Sequence, residues 1–294
     1  MQGIRDSIQQ TNNKQIERSV EELVNSLENM QINTSSVFDK PSLSERIEDY
    51  AQDNGIVSEL AAGNGIAALA AGKATTIFDK LPENKIPKVN EAIDEVLYNR
   101  TNLSQKGVKI VNLTSLDASE LKDFSKRKKR SYKAIAKGKN ACFSAPNKIY
   151  VNKGKMALST FHEMGHAFNR HNSNILKHLQ NARPFLFIAA IGTALLPLIL
   201  KETPKHSGEE LTSGQKIKNG ISSASPLISA AAFLPIVIEE GIASLRASQF
   251  AKPLLEKGIY RKMVGGNICG FATYFLSMLA FIFLAQTCKN ASRD

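Results

Sequence analysis

Three stretches in the C-terminal half of the chain carry no charged side chain: Pro184–Leu200 (17 residues), Asn219–Ile238 (20) and Met263–Cys288 (26). They constrain the fold more than any other feature, because about 20 apolar residues of helix match the hydrocarbon core of a bilayer. The third stretch reads as a membrane span. The first two each contain a proline, Pro197 and Pro235, which spanning helices tolerate, and their small Gly, Ala and Ser residues suit close helix contact. Buried core helices of a soluble domain are the alternative for these two. A mean hydropathy of −0.20 does not separate the readings, since the part of the chain before the stretches is polar.

Immediately upstream, residues 162–166 read HEMGH. Histidines four apart project from one face of a helix, so His162 and His166 can aim ring nitrogens at one metal ion. Glu163 sits about 100° around the same helix, placed to take a proton from water beside the metal without being a ligand. This HExxH pattern is that of zinc peptidases, with Glu163 as general base. Its surroundings, KMALSTFHEMGHAFNRH, place Met156, Phe161, Met164 and Phe168 at helical spacing, a stripe expected to pack in the core.

A catalytic zinc takes three protein ligands. The metzincin pattern would put His at 172 and Gly at 169; those positions hold Asn172 and Asn169, which excludes that class. His171 is one residue out of phase and reads as a surface or supporting histidine. A glutamate on a distant helix remains, and Glu239 and Glu240 follow directly on the second apolar stretch.

Two further segments carry a resemblance. Asn140-Ala-Cys-Phe143-Ser-Ala-Pro146-Asn-Lys-Ile149-Tyr-Val151-Asn-Lys-Gly154 is similar to the NAF…P…I-x-V-x-x-G segment ahead of HExxH in integral membrane gluzincins of the HtpX and CAAX prenyl protease type. Glu240-Gly-Ile-Ala243-Ser244 resembles their glutamate helix, ExxA(D/S), with Ser at the fifth position as in YugP-like membrane zinc peptidases. The resemblance covers about residues 138–250. It implies a zincin-like catalytic domain, zinc held by His162, His166 and Glu240, and an edge strand against which a peptide substrate lies. Lys148 to Asn152 alternates around Ile149 and Val151 as a strand should, and an unpaired edge can add a peptide strand. In place of the Asp of the HtpX pattern, Ser244 would orient a histidine less strongly. The family's membrane helices ahead of HExxH are not evident.

Topology agrees with the resemblance. The proposed ligands lie on both sides of the first two stretches, so these must cross an even number of times, as a hairpin does. Lys and Arg near span ends mark the cytoplasmic side. Arg170, Lys177 and Arg183 precede the hairpin, and Arg246, Lys252, Lys257, Arg261 and Lys262 follow it; only Lys289 and Arg293 follow the last stretch. The expected protein is therefore integral to the cell's inner or plasma membrane, with its active site facing the cytoplasm. Arg246 and Tyr260, on that same side, are the candidates for stabilising an oxyanion.

The fold expected is mainly α with a small β-sheet (α+β), comprising a zincin-like domain with HExxH helix and edge strand plus two to three transmembrane helices. Its expected divisions are a helical region over 1–105, a catalytic core over 106–183 and a transmembrane hairpin over 184–238. A glutamate-ligand helix and linker over 239–262 and a transmembrane helix over 263–288 complete it. Helices are expected near 16–27, 44–53, 88–99 and 116–129, and a strand at Val108 to Leu113. Residues 56–73 are small and apolar, but Glu59 and two Gly-rich breaks argue against a full span. The three cysteines (Cys142, Cys269, Cys288) have no ligand spacing and read as reduced packing residues. A net charge of +11 raises nucleic acid as a partner, yet the run Lys126–Arg130 lacks a binding motif or aromatic platform, and anionic lipid suits it better. Gly266 and Gly270 form a GxxxG that packs or dimerises helices. The function expected is zinc-dependent endopeptidase action on a peptide or protein substrate. The alternatives are a soluble zinc peptidase with buried apolar helices and a catalytically silent membrane scaffold.

Overall fold

A computed structural model of the chain describes residues 56–114, 126–203 and 210–292. The helices expected near 16–27 and 44–53 lie outside the described residues, as does most of the one expected near 116–129. The first described element, α1, is one continuous helix, Ile56–Phe78. A 3₁₀ turn leads into α2 (Ile86–Glu95), which carries Pro87 in its first turn and runs on through a π-helical turn, Val96–Arg100. Strand β1 (Lys109–Asn112), helix α3 (Lys126–Ala136) and strands β2 (Cys142–Ser144) and β3 (Lys148–Val151) follow. The HEMGH helix, α4, spans Ser159–Asn172. Three long helices close the chain: α5 (Asn174–Leu200), α6 (Ser213–Ala251) and α7 (Lys257–Ala291). The protein is thus mainly helical with a small three-stranded sheet.

Strand β3 occupies the middle of that sheet. It pairs parallel to β1, with Ile149 opposite Ile110, and antiparallel to β2, with Ile149 opposite Phe143. The expected edge strand over Lys148 to Asn152 is therefore corrected: both its sides are taken, and β2 is the outer strand on the side of α4. Alternation does show in β3, whose Ile149 and Val151 are fully buried while Lys148 is exposed. Period-two alternation reports which face is buried; it does not report how many neighbours the backbone has.

The core beneath α4 gathers Ile93, Val96, Leu103 and Ile149 against Leu158, Phe161, Met164 and Phe168, with Ala247, Ala251 and Met263 from α6 and α7. Phe161, Met164 and Phe168 of the expected stripe are buried on α4, while Met156, also buried, precedes the helix and packs with Ala141 and Val151. Gly165 lets α4 and α6 touch: a Cβ there would overlap the Ala243 carbonyl oxygen and lie 3.0 Å from its carbon. The start of α4 is tied to the end of α1, where the Asp79 carboxylate accepts from both the backbone N–H and the hydroxyl of Ser159. That bond satisfies a donor every helix N-terminus leaves open.

Three helices, α5, α6 and α7, are long and apolar enough to cross a membrane. Only 17, 33 and 6 % of their most apolar stretches is buried, with Phe185, Ile188, Ile199, Leu227 and Ile268 facing outward. Helices buried in a soluble core would not leave that surface open. The prolines sit inside unbroken helices, Pro184 and Pro197 in α5 and Pro226 and Pro235 in α6. The divisions expected at 183/184 and 238/239 fall within α5 and α6, so each of these helices runs without a break from the histidine–glutamate cluster into its apolar stretch.

Candidate metal centre

His162 and His166 stand one turn apart on α4, and their Nε2 atoms are 3.0 Å from each other. From α6, Glu240 brings Oε2 to 3.2 Å from His162 Nε2 and 3.6 Å from His166 Nε2. Tetrahedral coordination with bonds of about 2.0–2.1 Å puts ligand atoms about 3.3 Å apart. The triangle of 3.0, 3.2 and 3.6 Å fits that requirement with little rearrangement. The cluster could hold a metal ion.

Hydrogen bonding behind the histidines supports the same conclusion. His166 Nδ1 lies 2.9 Å from Glu239 Oε1, and a carboxylate can only accept, so the proton sits on Nδ1 and Nε2 presents a bare lone pair in the neutral ring. Two imidazole nitrogens and a carboxylate oxygen converging on one point form a donor set that could hold a cation. Burial works against an imidazolium at His166, but the carboxylates of Glu239 and Glu240 outweigh it and hold its pKa well above the usual 6.5.

Of the two adjacent glutamates, Glu240 thus faces the histidines, and Glu239 points about 100° away to hold His166 in place. Glu239 is itself fixed by the amides of Gln180 at 2.7 Å and Asn169 at 3.4 Å. Ser244 Oγ lies 3.2 Å from His162 Nδ1, at the helix position the sequence assigned to that support. Its carbonyl accepts from Asn267 of α7 at 3.3 Å. The carboxylate missing at Ser244 is therefore supplied from Glu239, to the other histidine.

Glu163 is buried and lines a cavity of about 500 Å³ beside the cluster. Its Oε2 accepts the Phe143 N–H of β2 at 2.5 Å, so that group points out of the sheet toward the site. Cys142 also lines the cavity. Burial, reinforced by the charge of Glu163, pushes its thiol up to about 12, so it rests as the neutral thiol. His171 stays at the surface, 3.1 Å from the Pro146 carbonyl. All three cysteines are free.

Two residues that sequence reasoning passed over complete the site. The Arg183 guanidinium pairs with Glu240 Oε1, lies 3.7 Å from Glu239 Oε2 and sits over the Tyr274 ring at 4.9 Å. Both Arg183 and Tyr274 line the cavity. The expected pair, Arg246 and Tyr260, does not: Arg246 is buried over the Phe168 ring at 4.5 Å, and Tyr260 packs against the core. Arg183 was visible only as a cation bordering an apolar stretch, and Tyr274 only as an aromatic within one. Comparison with protein families, with curated proteins and with solved structures finds no match for this chain.

Proposed function

We propose that the protein is a membrane-embedded zinc endopeptidase of the gluzincin type, with His162, His166 and Glu240 as ligands and Glu163 as general base. The observation that carries this reading is the convergence of His162 Nε2, His166 Nε2 and Glu240 Oε2 on one point, at 3.0–3.6 Å, beside a cavity that Glu163 lines. Two imidazoles and one carboxylate suit zinc, whose catalytic sites use three such ligands. Zinc held there supplies Lewis-acid chemistry, acidifying water and polarising a carbonyl.

The chain's own residues do the rest. Glu163 takes a proton from water as the peptide carbonyl is attacked and gives it to the departing amine. An extended substrate adds to the outer edge of β2 and takes over the Phe143 N–H that Glu163 accepts in the free protein. Arg183 of α5 and Tyr274 of α7 line the same cavity, where positive charge and a phenol favour the oxyanion that forms. Glu239 and Ser244 keep the two imidazoles turned toward the metal. The cations flanking α5, α6 and α7 favour a site that faces the cytoplasm.

The test is zinc content and proteolysis of casein by detergent-purified protein. Wild type is expected to hold one zinc per chain and cleave. Glu163→Gln keeps the zinc and loses cleavage, and Glu240→Gln loses most of the zinc. Cleavage surviving in Glu163→Gln would refute the mechanism. Zinc bound by a wild type that cleaves nothing would identify a silent scaffold.

A further inference from the structure

By composition alone α1 falls short of a span, since among the described residues only α5, α6 and α7 are long and apolar enough to qualify. Its packing says otherwise. Position 72 of α1 meets Thr273 of α7 at 3.5 Å, position 270 of α7 meets Thr75 at 3.9 Å, and position 265 meets the Phe78 ring at 2.6 Å, each measured from a Cβ added to the glycine. As numbers rise along one helix they fall along the other, so the two lie antiparallel. Gly72, Gly265, Gly266 and Gly270 supply the close approach that small residues permit in membrane helix pairs. The GxxxG of α7 is thus used within the chain, against Phe78 and Thr75.

Counted back at equal rise, Val57 comes level with Cys288, and both are buried. The 23 residues of α1 extend about 34 Å at 1.5 Å per residue, against about 30 Å of hydrocarbon. A helix laid along α7 over that length crosses whatever α7 crosses.

The side chains of α1 divide accordingly. Val57, Ala68, Gly72 and Thr75 face α7, while Ile66, Leu69 and Ile77 point the other way, 64–71 % exposed. Its charges are confined to Glu59 and Lys73, near the two ends. The polar groups between and beside them bond their own helix: Asn64 donates to the Leu60 carbonyl, Thr75 to Gly72 and Thr76 to Lys73. Flanking cations agree in direction. Lys80, Lys85 and Lys88 follow α1, whereas only Arg46 occurs in the eleven residues before it, beside four acids, so its C-terminal end is the cytoplasmic one.

We infer that α1 is a fourth transmembrane helix, antiparallel to α7, presenting Leu60, Ile66, Leu69 and Ile77 to lipid. This rests on the reading of α7 as a span but not on the peptidase chemistry. It places Ile56 on the membrane face away from the metal centre. It also makes a lipid-embedded helix, through Gly72, Thr75 and Phe78, part of the wall of the catalytic cavity.

The test uses full-length protein with its three cysteines replaced and single cysteines introduced at exposed positions, in right-side-out and inverted membrane vesicles. Lys257→Cys and Ala291→Cys report the two ends of α7. With a membrane-impermeant maleimide, Lys80→Cys is expected to label from the same side as Lys257→Cys, and Glu59→Cys from the same side as Ala291→Cys. A bimane on Leu69→Cys is expected to be quenched by brominated lipid and not by aqueous iodide. Glu59→Cys and Lys80→Cys labelling from one side, or iodide quenching at Leu69→Cys, would overturn the inference. If Lys257→Cys and Ala291→Cys label from one side, α7 is no span and the inference fails with it. An inactive peptidase leaves the labelling pattern, and its meaning, unchanged.

Discussion

Gly165→Ala tests the joint on which the metal centre depends. Gly165 lies between the two histidines on α4, directly against Ala243, which lies three residues beyond Glu240 on α6. An added methyl would overlap the Ala243 carbonyl oxygen and sit 3.0 and 3.1 Å from its carbonyl carbon and Cα. All three are backbone atoms of a helix interior, so none can swing aside. Ordinary carbon contacts lie at about 3.5–4.0 Å, and the helices must separate by about half an ångström. Overpacking of this kind costs about 1–3 kcal/mol, partly offset by the about 0.5–1 kcal/mol that Ala gains over Gly in a helix. The ligands ride on the separating helices, so strain relieved by letting Glu240 drift weakens zinc binding by the same amount, roughly 5- to 150-fold for 1–3 kcal/mol. The assay is zinc competition with a chromophoric chelator, alongside thermal unfolding in detergent. Gly63→Ala is the control, because a Cβ there meets nothing within 4 Å. Wild-type zinc affinity together with a wild-type unfolding midpoint in Gly165→Ala would refute the close crossing of α4 and α6.

Glu239→Gln keeps the shape that holds His166 but removes the charge, and zinc affinity is expected to fall about 10- to 100-fold; unchanged affinity in the chelator competition would show that His166 needs no carboxylate. Arg183→Gln is expected to retain zinc and lower kcat for peptide cleavage with little change in KM, since the guanidinium acts on charge that develops in the transition state; a rise in KM alone would assign it to substrate binding. Burial raises Asp79 from 3.8 to about 6 against the opposing hydrogen bonds from Ser159. Both folded and unfolded chains are protonated there below about pH 3.8, the unfolded chain alone ionises between 3.8 and 6, and stability falls across that window by roughly 3 kcal/mol at 1.36 kcal/mol per unit. Asp79→Asn removes this loss, so its stability relative to wild type should grow from pH 4 to 6 and stay level above; a difference that does not vary with pH in thermal unfolding would contradict it.

What the sequence made legible is what local geometry dictates. His162 and His166 are four apart, and a helix puts them on one face whatever surrounds it. The buried Phe161, Met164 and Phe168 follow from spacing in the same way, the three apolar helices follow from composition, and the place of Ser244 came from the resemblance. The choice between Glu239 and Glu240 needed only a resemblance, yet Glu239's own task, bonding His166 Nδ1, depends on where α4 crosses α6, and Gly165 sets that crossing through its contact with Ala243. Features built from distant segments stayed hidden. Strand β3 became central because β1, nearly forty residues upstream, pairs with it in parallel; no alternation within Lys148 to Asn152 encodes that partner. Asp79 caps α4 from eighty residues away, and Arg183 reaches Glu240 from the border of an apolar stretch. The Gly-rich breaks that argued against a span at 56–73 lie in an unbroken helix, where Gly63 and Gly65 have open space around them and a Cβ at Gly72 would meet Thr273 of α7. Glycine weakens an isolated helix by removing side-chain contact and adding backbone freedom, but a helix held along its length by α7 is stabilised by that packing instead. The segment's weak intrinsic propensity and its place beside α7 are therefore compatible, and only the second can be seen once the chain is folded.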